Sequence, residues 1–391
     1  MSKANQIAEL LTRGVEEVID RKHLEKRLQG KEKLRVKLGI DPTSPKIHIG
    51  RAVSLWKLRA FQDLGHTAVF IVGDFTGRVG DTSDKDAERP MLTAEQVGQN
   101  MTGYFAQAFK ILDKSKTETY YNSKWLEKLG FLELARMASL FSLHEFQSRE
   151  IIAKRLKAGQ RVTFHEAMYP LMQGYDSVAV RANLELGGTD QRFNLLAGRT
   201  IQKMYGQEPQ DIMMTTLMEG VDGRKMSSSW GNVINIIDEP QDMFGKVMSI
   251  QDELIEKYFL LATITPVAEI KEVIKTNKNP RDQKVLLAKA VVALYHDKKA
   301  ADAAEQSFIK QFTHKELPDE IEEKKVKAGV YKVSELLFHL GMAASKGEAR
   351  RLLDQKGVKV NGEVVTEREM PIGKKNNLLV QVGKRRFVRI I

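Results

Sequence analysis

The feature that most limits what this chain can fold into is the alternation, through its first half, of short apolar runs with helical stretches. RVKLGI (35–40) is followed by a helix after Gly50, AVFIVG (68–73) by a helix after Thr93, and a further helix runs around Glu166 to Arg181. A β-α-β-α order implies a parallel sheet wrapped by helices, with ligands at the carboxyl ends of the strands. From about Asp242 to His314 the pattern turns helical, clearest in VLLAKAVVALYHDKKAADAAEQSF, with no strong strand signal. KELPDEIEEKKVKAG (315–329) is charged, contains Pro318, ends in Gly329 and reads as a linker. Beyond it, VSELLFHLGM and GEARRLLDQKG each read as a short helix. Asn361-Gly362 between two β-prone arms predicts a hairpin, and LLVQVGKRRFVRII turns at Gly383. The result is an α/β chain with expected domains at 1–241, 242–329 and 330–391, the last a small α+β module.

A chain of 391 residues has room for two or three such domains. It contains no Cys, which removes disulfides, thiolate nucleophiles, Cys-ligated zinc and iron–sulfur clusters. MSKANQIAELLTRGVEEVID lacks the continuous apolar run of an export signal, and the apolar stretch from Val285 to Tyr295 is interrupted by Lys289. A soluble, cytoplasmic protein with no membrane partner is expected. Of the net charge of +11, the last 61 residues hold +7, with 13 Lys+Arg against 6 Asp+Glu. That concentration points to a module facing a polyanion such as RNA, DNA or anionic lipid.

Three segments could carry chemistry. In LGIDPTSPKIHIGR (38–51), Pro42 and Pro45 keep the turn extended until a helix begins near Gly50. The unpaired N–H groups of that helix start, with His48 and the Thr43 hydroxyl as donors, suit phosphate. In VDGRKMSSSWGN (221–232), which is expected to be mobile and exposed, Arg224 and Lys225 could clamp a polyphosphate while Ser227, Ser228 and Ser229 add hydrogen bonds. In EAMYPLMQGYDSVAV, Tyr169, Gln173 and Asp176 fall on one helical face and suit a pocket for a small polar ligand.

Together these segments resemble the bacterial tyrosyl-tRNA synthetases over essentially the whole chain. PTSPKIHIG resembles the "HIGH" signature of class I synthetases, GRKMSSS their "KMSKS" loop, and YPLMQGYD the tyrosine-site helix of the tyrosyl branch. GDFTGRVGD and LGGTDQ resemble two further substrate segments, and the C-terminal module an S4-type RNA-binding domain. The resemblance implies a Rossmann-like catalytic domain, an α-helical anticodon-side domain and an S4-like domain. It implies activation of L-tyrosine by ATP, with transfer to tRNA(Tyr), no tightly bound cofactor, Mg²⁺ as the ATP counter-ion, and a homodimer. By the same resemblance Thr43, His48, Lys225 and Ser228 are catalytic. Asp41, His48, Gly50, Arg51, Asp190, Arg224, Lys225, Met226 and Ser227 line the ATP site. Lys37, Gly39, Asp81, Tyr169, Gln173, Asp176 and Gln191 line the tyrosine site, with Asp176 accepting from the phenol. In the C-terminal module Lys346, Arg350, Arg351, Lys384, Arg385 and Arg386 are the candidate RNA contacts.

The chain departs from the family pattern at three places. Arg51 replaces the final His of the first signature, and Ser228 replaces the second lysine of the loop, with Arg224 as the expected compensating cation. Lys37 stands where many members carry a tyrosine, and strand alternation puts it on one face with Gly39, pointing either into the cleft near Asp176 or to solvent. An RNA-binding protein on a synthetase scaffold, with weak or no aminoacylation, is the alternative reading. The tryptophanyl branch is disfavoured because Asp176 and Gln173 suit a phenol and an ammonium.

Overall fold

The computed structural model describes residues 2–81, 91–313, 321–365, 368–373, 377–383 and 386–391. Two compact units are present, Met1–Asp302 and Ala303–Ile391. The first is built on six strands: β1 (Val15–Ile19), β2 (Arg35–Ile40), β3 (Thr67–Val72), β4 (Thr117–Tyr121), β5 (Leu184–Gly188) and β6 (Asp211–Thr215), in the order β1-β6-β5-β2-β3-β4. All neighbours run parallel except β1, which pairs antiparallel with β6 at the sheet edge. The central strands are sheathed on both faces: Val36, Val69, Phe70, Val72, Leu184 and Ile212 are fully buried. They therefore read as continuous apolar runs rather than alternating ones.

Three helices fix the functional end of the sheet. Helix α1 (Ile49–Asp63) starts where the prolines allow: His48 is its N-cap, its ring nitrogen Nδ1 accepting from the Arg51 N–H at 3.3 Å. Helix α2 (Phe164–Ala179) opens with a capping box in which the Thr163 and Glu166 side chains each bond the other's backbone N–H. It packs on α3 (Arg192–Met204) through two glycines; a Cβ on Gly174 would stand 3.2 Å from the Gly198 nitrogen and 2.7 Å from Ile201 Cδ1. That close approach holds the Tyr169-Gln173-Asp176 face at a fixed height over the sheet.

From Asp242 to Thr313 the chain forms helices and turns without a named strand, as its pattern predicts. Helix Pro280–Tyr295 packs on Pro240–Met248, and Trp56 on α1 donates to the Tyr295 hydroxyl at 3.1 Å. The compact unit thus continues through this stretch to Asp302, beyond the expected boundary at 241.

The second unit closes its own core around Leu336, Leu337, Val358, Val380, Val388 and Ile390. Around that core lie the helices Val333–His339 and Lys346–Asp354. Asn361 and Gly362 take the left-handed conformation (φ 47° and 88°) that a tight hairpin demands, joining Val358–Val360 to Glu363–Val364. Leu378–Val382 pairs antiparallel with Arg386–Ile390 across Gly383. The expected linker is corrected in one part: Glu322–Lys324 is a strand, parallel to Val388–Ile390. Its charges misled because an edge strand with exposed Glu322 and Glu323 keeps polar side chains in water.

Candidate active site

The carboxyl ends of the parallel strands open on one cavity of about 370 Å³. Each strand delivers residues at its exit: Asp41 and Thr43 after β2, Thr76 after β3, Asn122 after β4, Asp190 and Gln191 after β5, and Thr216 after β6. Gly39 lines the wall, and a Cβ there would meet nothing within 4 Å. Gly73 is closed to any side chain, since its Cβ would lie 2.1 Å from Asp41 Oδ1.

One end of the cavity is a chain of buried polar contacts. Tyr169 donates to Asp41 Oδ2 at 2.9 Å, and Thr76 to Asp41 Oδ1 at 2.7 Å. Asn122 donates to Thr76 at 2.9 Å and to Asp176 Oδ2 at 3.2 Å, while the Trp125 indole N–H donates to Asp176 Oδ1 at 2.8 Å. Burial pushes Asp176 up to about 7, against the opposing pull of Lys37. Asp41 keeps one side on the cavity, yet the atoms packed about its carboxyl desolvate it and raise it to about 6. Tyr169 is raised well above the ordinary phenol value by burial and then by Asp41. An acceptor so desolvated, with donors already in place, is ready for one more hydroxyl.

The other end is cationic. Burial, then Arg51 and Lys225, depress His48 to about 3, so its imidazole is neutral; with Nδ1 accepting from the cap, Nε2 carries the proton. Arg51 donates to Thr43 Oγ1 at 2.8 Å, to the Tyr104 hydroxyl at 2.6 Å and to the Asp41 carbonyl at 3.2 Å, bracing the turn that carries Thr43. The 221–232 loop is exposed, as expected, at Asp222, Arg224 and Ser229 to Gly231, but it is anchored between. Met226 is buried and receives the Gly50 N–H at 3.4 Å, Ser228 lies 3.1 Å from Ser44, and Lys225 pairs with Asp190 at 2.8 Å.

Of the expected ATP and tyrosine residues, all but Arg224 and Lys37 line this cavity. Arg224 turns outward, held by Asp222 at 2.5 Å and stacked 4.8 Å from the Trp230 ring centroid, so it does not replace the missing lysine here. Lys37 is neither exposed nor on the cavity wall. It is fully buried, 2.9 Å from Glu185, because an ion pair removes the reason for a lysine to seek water. Asn122, Trp125, Thr76 and Tyr104 escaped the sequence reading; the available signal was that the strand TETYY ends at Tyr121, just before Asn122, where a parallel sheet places ligands. In the second unit Arg350 and Arg351 are exposed, Lys346 pairs with Glu335 at 2.8 Å, and Arg386 donates to the Met342 carbonyl at 2.8 Å. Lys384 and Arg385 lie outside the described residues.

Residues 29–313 match the family of tRNA synthetases class I (W and Y), and residues 334–376 match the S4 domain. A tyrosine--tRNA ligase of Carboxydothermus hydrogenoformans is 48% identical, over 98% of this chain and 97% of its own. That of Thermotoga maritima is 45% identical over 97% and 96%. The chain belongs to the tyrosyl-tRNA synthetase family. Solved structures agree at the level of fold. The Archaeoglobus fulgidus tyrosyl-tRNA synthetase, complexed with L-tyrosine, superposes at a TM-score of 0.62 with 22% identity, over 78% of this chain and all of that one. A C-terminally truncated mitochondrial tyrosyl-tRNA synthetase of Aspergillus nidulans reaches 0.65 with 21% identity, over 80% and 94%. At the three positions read above as departures the geometry supplies partners: Thr43 for Arg51, Glu185 for Lys37 and Ser44 for Ser228.

Proposed function

We propose that the chain joins L-tyrosine to tRNA(Tyr) in two steps at this one cavity. A tyrosine carboxylate oxygen attacks the α-phosphorus of ATP; the new oxygen–phosphorus bond forms as the bond to pyrophosphate breaks. A ribose hydroxyl of the terminal adenosine of the tRNA then attacks the tyrosyl carbonyl, its proton is lost, and AMP leaves. Neither step needs an enzyme nucleophile, so a cysteine-free chain is competent, and rate comes from position and from donors that fit the developing charge.

The observation that carries this reading is the division of one cavity into two chemistries. Asp176, with its Trp125 and Asn122 donors, suits a phenolic hydroxyl, while Tyr169, Gln173, Asp81 and Gln191 surround the room for the ammonium and carboxylate. His48 as a neutral donor, Thr43, the start of α1 and Lys225 suit the phosphates, with Asp41 and Asp190 near the nucleoside. Mg²⁺ would arrive with ATP as its counter-ion; among the described residues no cluster of three or more acidic, His or Cys groups could hold a metal. The alternative of an RNA binder with little activity is disfavoured, because it has no use for this cavity.

The helical stretch 242–329 and the module 330–391 would meet tRNA, the latter through Arg350 and Arg351. A homodimer is supported by large exposed apolar side chains grouped between residues 131 and 164, among them Phe131 (89% exposed), Leu132 and Phe164. Among the described residues no helix is long and apolar enough to cross a membrane, and a cytoplasmic location fits the reaction. Tyrosine-dependent exchange of pyrophosphate into ATP by the purified chain tests the reading. Exchange at background level overturns it.

A further inference from the structure

At the cavity wall lies a closed ionic network drawn from four separate parts of the chain. Lys37 on β2, Ser177 on α2, Glu185 on β5 and Gln210 just before β6 are all at most 1% exposed. The Lys37 ammonium uses its three donors on Gln173 O (2.8 Å), Ser177 Oγ (2.8 Å) and Glu185 Oε1 (2.9 Å). Glu185 accepts in addition from Gln173 Nε2 at 3.1 Å, from Ser177 at 3.1 Å and from Gln210. Gly198 closes the network from α3, since a Cβ there would lie 2.6 Å from Gln210 Nε2 and 3.3 Å from Glu185 Oε2.

Of the network's members, Gln173 and Glu185 also line the cavity, and Gln173 is the one with an amide to orient. Its amide has a donor end and an acceptor end, and a ligand ammonium can use only the acceptor. A carboxylate in an ion pair can only accept, so Glu185 takes the Nε2 end and turns Oε1 away from itself. We propose that the buried Lys37–Glu185 pair is a positioning device that locks the Gln173 amide with its oxygen available to the amino group of tyrosine. This rests on the reading above that Gln173 meets that amino group. Lys37 lies off the cavity wall and acts through Gln173; Glu185 borders the cavity, but its Oε1 is taken by Lys37 and Gln173 and its Oε2 by Ser177 and Gln210, so it too acts through Gln173. Lys37 also holds the Gln173 carbonyl, so the same pair fixes the helix backbone and the side chain it carries.

The test compares tyrosine with 3-(4-hydroxyphenyl)propionate, which lacks only the amino group, as the dissociation constant of the propionate divided by that of tyrosine, measured by calorimetry. Lys37→Met/Glu185→Met removes both charges together and keeps similar volume, a change that buried ion pairs commonly tolerate. The ratio is expected to fall by roughly tenfold, the scale of one hydrogen bond to a charged group, while the ATP dissociation constant stays the same. Gln173→Met is expected to lower the ratio as much. If Gln173→Met lowers it and the folded double variant does not, the locking proposal is overturned and the reading of Gln173 stands. If Gln173→Met leaves it unchanged, that reading fails and the proposal with it. Should the double variant not melt cooperatively, Lys37→Met/Glu185→Gln decides: its neutral amide can face Gln173 with either end, so an intermediate ratio supports the lock and an unchanged one overturns it.

Discussion

Replacing Asp176 with asparagine should stabilise the ligand-free protein in alkali while damaging the site. Asp176 is raised from 3.8 to about 7 by burial, and three pKa units at about 1.4 kcal/mol each make its ionised form cost about 4 kcal/mol in the folded state. The sign follows from linkage. A folded pKa above the unfolded one means that the folded chain binds the proton more tightly, so stability is fully present below about pH 4 and is lost as pH rises through about 7. At about pH 5.5 roughly 2 of those 4 kcal/mol are regained by protonation, and above about pH 8 almost none. The amide of the variant never ionises and carries no such slope. Its hydrogen bonds to Trp125 and Asn122 will be poorer, but that offset is nearly independent of pH and cancels when two pH values are compared. Asp176→Asn should therefore melt higher, relative to the unaltered chain, by roughly 4–6 °C more at about pH 8.5 than at about pH 5.5, taking roughly 2–3 °C per kcal/mol. Scanning calorimetry at both pH values, without ligand, reads this directly. Equal offsets at the two pH values, or a larger one in acid, would refute the assignment of a desolvated carboxylate.

Three further outcomes are expected. Lys225→Ala should slow tyrosyl-adenylate formation by roughly a hundredfold in single-turnover experiments, as loss of a charge-stabilising donor does, with the tyrosine dissociation constant unchanged. Arg51→Ala removes the brace on Thr43 and should raise the KM for ATP in pyrophosphate exchange; Tyr104→Phe removes one of its three contacts and should have a smaller effect in the same assay. Arg350→Glu/Arg351→Glu should weaken tRNA binding and flatten its dependence on salt in filter-binding titrations, while exchange remains intact.

Much of the fold was legible because its signals are local. Two of the parallel strands, β2 and β3, showed as apolar runs, the start of α1 as two prolines and a glycine, and the last module as Asn-Gly between β-prone arms. The Tyr169-Gln173-Asp176 face was legible because helical spacing alone decides which side chains share a stripe. Contacts made across the chain were not. Trp125 and Asn122 reach Asp176 from more than fifty positions away. Lys37 could not be placed without Glu185, since whether a lysine is buried depends on its partner and not on its own strand. Arg224 misled for the converse reason: a neighbouring cation in sequence looks like a second clamp, but Asp222 two residues earlier holds it first.

The empty space beside Gly39 has a consequence for redesign. The strand makes that part of the cavity by leaving a side chain out, so position 39 already stands at its smallest, and every substitution there can only narrow the room. Gly39→Ala would fit the surrounding atoms, with nothing within 4 Å to strike, yet its methyl would occupy volume that a ligand could use. A programme to admit bulkier amino acids would gain nothing at this residue and must trim the large side chains opposite; one to exclude an unwanted analogue could start here, one carbon at a time.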